Sequence, residues 1–174
     1  MRGDSLVLGL EDDWLGQMGK MVSSIFNSTD RKVIYHLTVA DLDQISISGK
    51  IDLACQTFQT KMLALKVSGL GKLDFAHLDC DTLEVTISGR GEFMASGRAD
   101  HQTVRISGSG EYEAPSLASQ TVRIVISGQG NASLMVEDSL DITISGLGQV
   151  NYSGRPKLRQ VITGLGKSKR LNDQ

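Results

Sequence analysis

Long apolar runs are missing from this 174-residue chain: none approaches the ~20 consecutive residues a helix needs to cross a bilayer. An excess of either charge is missing too. Lys and Arg total 18 against 20 Asp and Glu, the formal net charge is −2, and the charges are scattered. That excludes the basic stripe of a nucleic-acid binder and the acidic block of a disordered tail. Aromatic residues make up only 5%, which fits a narrow core of Ile, Val, Leu and Ala. The opening MRGDSLVLGLEDDW has no basic region ahead of an apolar run, so it does not read as a secretory signal. On that ground the protein is either cytoplasmic or has lost an export signal that preceded this stretch.

Glycine and serine are plentiful, with 19 of each. Much of both falls in one phrase that recurs seven times, an apolar residue followed by Ser-Gly-x-Gly. Ser48-Gly49 opens the series and lacks the second glycine. Next come Ser68-Gly69 with Gly71, Ser88-Gly89 with Gly91, and Ser107-Gly108 with Gly110. Ser127-Gly128 with Gly130, Ser145-Gly146 with Gly148, and Thr163-Gly164 with Gly166 complete it. Successive first glycines are 20, 20, 19, 20, 18 and 18 residues apart. A fixed period near 20 is that of a solenoid, in which each repeat is one coil resting on the last. Cys55 and Cys80 follow their repeat glycines by six and eleven residues, so they occupy different phases of the coil and are expected as free thiols.

Ahead of each phrase apolar residues alternate with polar ones, as in Leu83, Val85 and Ile87, or Val122, Ile124 and Ile126. After it the alternation resumes, as in Leu73 and Phe75, Phe93 and Ala95, or Tyr112 and Ala114. Period-two alternation means strands with one face buried. An antiparallel meander turning at each Ser-Gly would also alternate. The constant period and unchanged inward residues instead favour a parallel β-helix, with coils ~4.8 Å apart. The expected fold is all-β: a right-handed parallel β-helix of about seven coils of 18–20 residues, each with three short strands and three corners. The third strand carries Leu78 and Cys80, Ala99, Leu117, Val136 and, after Pro156, Leu158. Each corner glycine is expected at positive φ, where a Cβ is penalised, with its serine bonding backbone groups or stacking on other serines. The phrase is therefore structural. It lacks the Lys-Ser/Thr ending and the following helix of a phosphate-binding loop.

A single domain is expected, with residues 1–44 as an irregular cap, 45–170 as the coils and 171–174 as a tail. Leu10, Trp14, Met18, Met21, Val22 and Ile25 have helical spacing, which predicts one short helix in the cap, covering the open end of the solenoid. Arg2-Gly3-Asp4 matches an integrin-binding tripeptide, but Gly-Asp before a strand is ordinary turn chemistry. GKSKRLNDQ at the C-terminus reads as a frayed basic end.

Candidate chemistry is sparse. His77, Asp79 and Asp81, with Asp100 and His101 one coil later, are weak candidates for a metal site, because stacked coils would bring carboxylates near imidazoles. A solvated corner collects the same residues, so no metal and no cofactor is expected. Glu111 and Glu113 flank Tyr112 as exposed strand neighbours rather than as the carboxylate pair of a glycosidase. The three histidines, His36, His77 and His101, show no triad spacing.

The repeated Ser-Gly-x-Gly, the lead-in VADLDQISISG (Val39 to Gly49) and the closing ISGLGQVNYSGRPKL (Ile144 to Leu158, with Tyr152, Gly154 and Pro156) carry a resemblance. From about Ser5 to Leu171 the chain is similar to the bacterial family of putative auto-transporter adhesins, head GIN domain. The resemblance implies a β-helical, exported, adhesin-like protein and supplies no catalytic residue set. Gly3-Asp4-Ser5 looks like the end of that family's first strand, so a preceding strand and signal are expected to be missing. The expected function is a non-enzymatic, adhesin-like cell-envelope or secreted protein that presents one β-helix face to a glycan or surface protein. The alternative is a self-associating scaffold that forms a homo-oligomer, and a polysaccharide-active enzyme comes third. No nucleic acid and no membrane span is expected.

Overall fold

The computed structural model describes residues 42–171, which fall within the compact unit Val39–Gln174. The expected cap helix and the Arg2-Gly3-Asp4 tripeptide lie outside the described residues. All regular structure described is β. The strands are β1 (Gln44–Ile47), β2 (Lys50–Cys55), β3 (Phe58–Val67), β4 (Leu70–Ile87) and β5 (Arg90–Ile106). They continue as β6 (Ser109–Ile126), β7 (Gln129–Ile144), β8 (Leu147–Ser153), β9 (Lys157–Ile162) and β10 (Lys167–Arg170). Pairing is parallel throughout, in the order β1-β3-β4-β5-β6-β7-β8-β10, with β2 on β4 and β9 on β7.

Equivalent residues of successive repeats therefore lie over one another. Ile47, Val67, Ile87, Ile106, Ile126, Ile144 and Ile162 pair in one column. All but the terminal Ile162 are buried. The fold is a parallel β-solenoid of about six turns, one fewer than the seven corners, because a turn is the stretch between corners.

Three expectations need correction. First, a turn is not three short strands: β4, β5, β6 and β7 each run unbroken from one Ser-Gly corner to the next. Their bends are register shifts within one strand, as between Phe75 and Leu78 or between Ala114 and Ala118. Rung-to-rung pairing lapses there for a few residues, as at Ala76 and His77, and resumes beyond the shift, so the strand does not end. Second, Leu158 does not occupy the third side. It sits in β9 opposite Leu140 of β7, and the residue over Val136 in the last turn is Gly154, whose added Cβ would stand 2.0 Å from Val136 O. Third, GKSKR is not a frayed end: Lys167–Arg170 form β10, paired with Gln149 to Tyr152 of β8.

The corner glycines also work differently than expected. Positive φ occurs at Gly97 and Gly154, not at the Ser-Gly corners. What requires glycine at the corners is close approach. A Cβ on Gly69, Gly89, Gly108, Gly128, Gly146 or Gly164 would stand 2.1–2.2 Å from the carbonyl oxygen of the corner glycine one turn earlier. Stacking is this tight because the corners bond to one another. Ser88 N and Gly89 N both donate to Val67 O, at 2.9 and 3.2 Å, and Arg90 N donates to Gly69 O at 3.0 Å. Serine hydroxyls reinforce the first corners, with Ser68 Oγ donating to Ile47 O at 3.1 Å and Ser88 Oγ to Val67 O at 3.4 Å.

The core is a column of aliphatic side chains interrupted by an aromatic ladder. Phe58, Phe75, Phe93 and Tyr112 follow one another with ring centroids 6.1, 6.0 and 4.9 Å apart, and the last pair is stacked. Such pairs add about 0.5–1.5 kcal/mol beyond the area they bury. Tyr112 also anchors a buried polar network. Its hydroxyl donates to Gln102 Oε1 at 2.5 Å, Gln102 Nε2 donates to Ser119 Oγ, and Ser119 Oγ donates to Leu117 O at 3.5 Å. Gln102 occupies an inward register position between Leu83 and Val122.

Cys55 is half-buried and Cys80 buried, and both are free. Burial, with lesser help from the Asp79, Asp81 and Asp100 carboxylates, pushes the Cys80 thiol up to about 12. Only the thiolate is an effective nucleophile. A maleimide is therefore expected to modify Cys55 in the folded protein, while Cys80 reacts only as the chain unfolds. Equal labelling rates in Cys55→Ser and Cys80→Ser variants would show that the core around Cys80 is open.

Candidate functional site

Just past each Ser-Gly corner, two columns of outward side chains run up the sheet. One contains Lys50, Leu70, Arg90, Ser109, Gln129 and Leu147; the other contains Asp52, Lys72, Glu92, Glu111, Asn131 and Gln149. Between them lies the second glycine of the repeat, facing inward. A Cβ on Gly91 would meet Ile87 Cγ2 at 3.0 Å and Val67 Cγ1 at 3.2 Å. The strip between the columns is therefore bare backbone, and it floors a groove of about 880 Å³ along the solenoid axis. Each wall presents a side chain every ~4.8 Å, the spacing of hydrogen-bonded strands.

The chemistry of the groove changes along its length. The early turns are charged with mixed sign, and Lys72 Nζ meets Glu92 Oε1 at 3.0 Å. Both partners are substantially exposed, which limits such a pair to about 0–1 kcal/mol. The later turns carry amides. Gln129, Asn131 and Gln149 line the groove, and Gln149 Nε2 donates to Asn151 Oδ1 at 2.9 Å beside it. An amide both donates and accepts, so this stretch can bond neutral polar groups of either kind.

The carboxylates singled out from the sequence separate here. Glu111 stands in the groove wall, whereas Glu113 lies one column further along the strand and accepts a hydrogen bond from Ser133 Oγ at 3.2 Å. The HLDCD residues and their partners lie outside the groove. Asp100 is engaged by Arg98, with Nε to Oδ1 at 2.6 Å and Nη2 to Oδ2 at 3.0 Å. His101 Nδ1 lies 2.8 Å from Thr121 Oγ1, and Gln59 Nε2 donates to Asp79 Oδ2 at 3.5 Å. Among the described residues no three His, Cys, Asp or Glu side chains converge as a metal would require. The groove itself escaped the sequence reading. Its signal was present, because Asn131 and Gln149 each stand three residues after a corner glycine, where Lys72 and Glu92 stand in earlier repeats.

Fold and site together define a parallel β-solenoid with an axial groove. The chain belongs to the family described as putative auto-transporter adhesin, head GIN domain, which matches residues 2–156. No curated protein and no solved structure matches it. The family match ends at Pro156, so β9 and β10 lie beyond it. Among the described residues no helix is long and apolar enough to cross a membrane.

Proposed function

We propose that this is a non-enzymatic, adhesin-like protein of the cell surface or secreted space that binds an extended glycan along the groove. The observation that carries the reading is the amide stretch Gln129, Asn131 and Gln149 beside a glycine floor. Amides at strand spacing suit a polymer that offers a hydroxyl at every repeat. Protein interfaces more commonly rest on buried aromatic or Arg anchors; among the described residues no aromatic lines this groove, and its one arginine, Arg90, is exposed. Family membership supports the surface location. The right-handed winding belongs to the same reading, since parallel crossovers are overwhelmingly of that hand.

A glycan array probed with the purified chain tests the proposal. Asn131→Ala with Gln149→Ala is expected to weaken the strongest array hit at least tenfold, about 1.4 kcal/mol, with an unchanged melting temperature. An array without hits, or a hit untouched by the double substitution, would sink the groove as a glycan site.

A further inference from the structure

We propose that the C-terminal end of the solenoid docks an extended acidic segment of another protein, which adds to the sheet as one more rung. The reading does not rest on the groove, which shares Leu165 and Lys167 with this end. Among the described residues β9 pairs only with β7 and β10 only with β8, so each leaves an open parallel edge. Strand addition at such an edge is a recurring mode of peptide recognition.

The side chains at this end are those of an uncovered core. Leu158 and Ile162 are 41% and 36% exposed, whereas Leu140 and Ile144, their partners one turn earlier, are at 0%. Leu165, at the last corner, is 84% exposed. The partner strand therefore brings aliphatic side chains at alternate positions.

Charge decides what stands at its other positions. Arg155, Lys157, Arg159, Lys167, Lys169 and Arg170 crowd the last turn, and residues 142–171 contain no Asp or Glu. Lysines on an edge also discourage aggregation, but mixed charges would serve that purpose as well. Six cations outweigh the one carboxylate paired opposite them, Asp141 across from Arg159 one turn earlier, and form a complement to acid. Two such ends repel each other. The first described turn, where Lys50 and Lys61 offset Asp43 and Asp52, offers no acidic counterpart in a second copy. The occupant that matches both features is an acidic, aliphatic-alternating strand of another protein.

The probe is a fluorescein-labelled synthetic nonapeptide of alternating Glu and Val, titrated against the full chain by anisotropy. Saturable binding is expected at low ionic strength, weakening with salt. It should fall at least tenfold both in Lys157→Glu with Arg159→Glu and in Leu158→Ser with Ile162→Ser. All four positions are exposed, and thermal melts confirm that both variants fold. The Asn131→Ala, Gln149→Ala protein should bind the peptide as wild type does, which separates failure here from failure of the glycan reading. Three results would overturn the proposal: no binding, binding insensitive to Leu158→Ser with Ile162→Ser, or equal binding of a peptide with its Glu and Val blocked rather than alternating. Self-association by light scattering that Lys157→Glu with Arg159→Glu abolishes would also overturn it, naming a second copy as the occupant.

Discussion

Gly108→Ala is expected to abolish stable folding, whereas Gly49→Ala is expected to leave stability unchanged or slightly higher. The two glycines occupy the same place in the repeat, and their contacts separate them. A Cβ on Gly108 would lie 2.1 Å from Gly89 O and 2.3 Å from Ser88 O, while one on Gly49 meets nothing within 4 Å among the described residues. Relief at Gly108 requires lifting one corner off the next. That loosens three hydrogen bonds: Ser107 N to Ile87 O at 2.9 Å, Gly108 N to Ile87 O at 3.3 Å, and Ser109 N to Gly89 O at 2.9 Å. At about 0.5–1.5 kcal/mol each, with strain of about 1–3 kcal/mol where relief is incomplete, the loss approaches the whole stability of many domains. Alanine at Gly49 instead restricts the unfolded chain and contributes about 0.4–1 kcal/mol. Urea unfolding followed by circular dichroism separates the outcomes. A Gly108→Ala protein within about 1 kcal/mol of wild type would refute close approach as the reason for the repeated glycine.

Tyr112→Ala is expected to cost about 3–5 kcal/mol, and Tyr112→Phe about 1–3 kcal/mol. The first removes a fully buried ring stacked on Phe93 at 4.9 Å and leaves a cavity. The second keeps the ring but strips Gln102 Oε1 of its donor in the interior. Burial already drives the Tyr112 phenol above its ordinary range, so its proton stays in place to be donated. A buried acceptor left alone suffers its full desolvation penalty, whereas replacing all partners with apolar groups is nearly neutral. Tyr112→Phe combined with Gln102→Leu and Ser119→Ala is therefore expected to recover most of what Tyr112→Phe loses. Denaturant titration of the four proteins reads this directly. A Phe variant as stable as wild type would show that the network contributes nothing.

Ile87, Ile106, Ile126 and Ile144 recur at a near-constant interval just before a Ser-Gly, and that interval implies the vertical stacking their pairing displays. Inward residues such as Leu83, Phe93 and Leu134 were legible for a related reason: alternation depends only on the two-residue period of a strand, and all three are buried. The bends were not legible. Between Phe75 and Leu78 the pairing register shifts within one continuous strand, and nothing in the local sequence marks the shift. Gln102 was also missed, since a polar residue at an inward position reads as a break in the pattern until Tyr112 and Ser119 are seen to satisfy it.

Repetition is information carried along the chain, so period, parallel stacking and the inward face could be taken from the order of residues alone. Contacts across turns depend on distance between segments about twenty residues apart, and no local pattern records that distance. Only the folded chain showed that corner glycines answer to a carbonyl one turn earlier rather than to their own φ. The same holds for the two side-chain columns that flank a glycine floor, and for the basic, uncovered edge at β9 and β10. Each arises from neighbours that the covalent chain keeps far apart and the stacking of turns brings into contact.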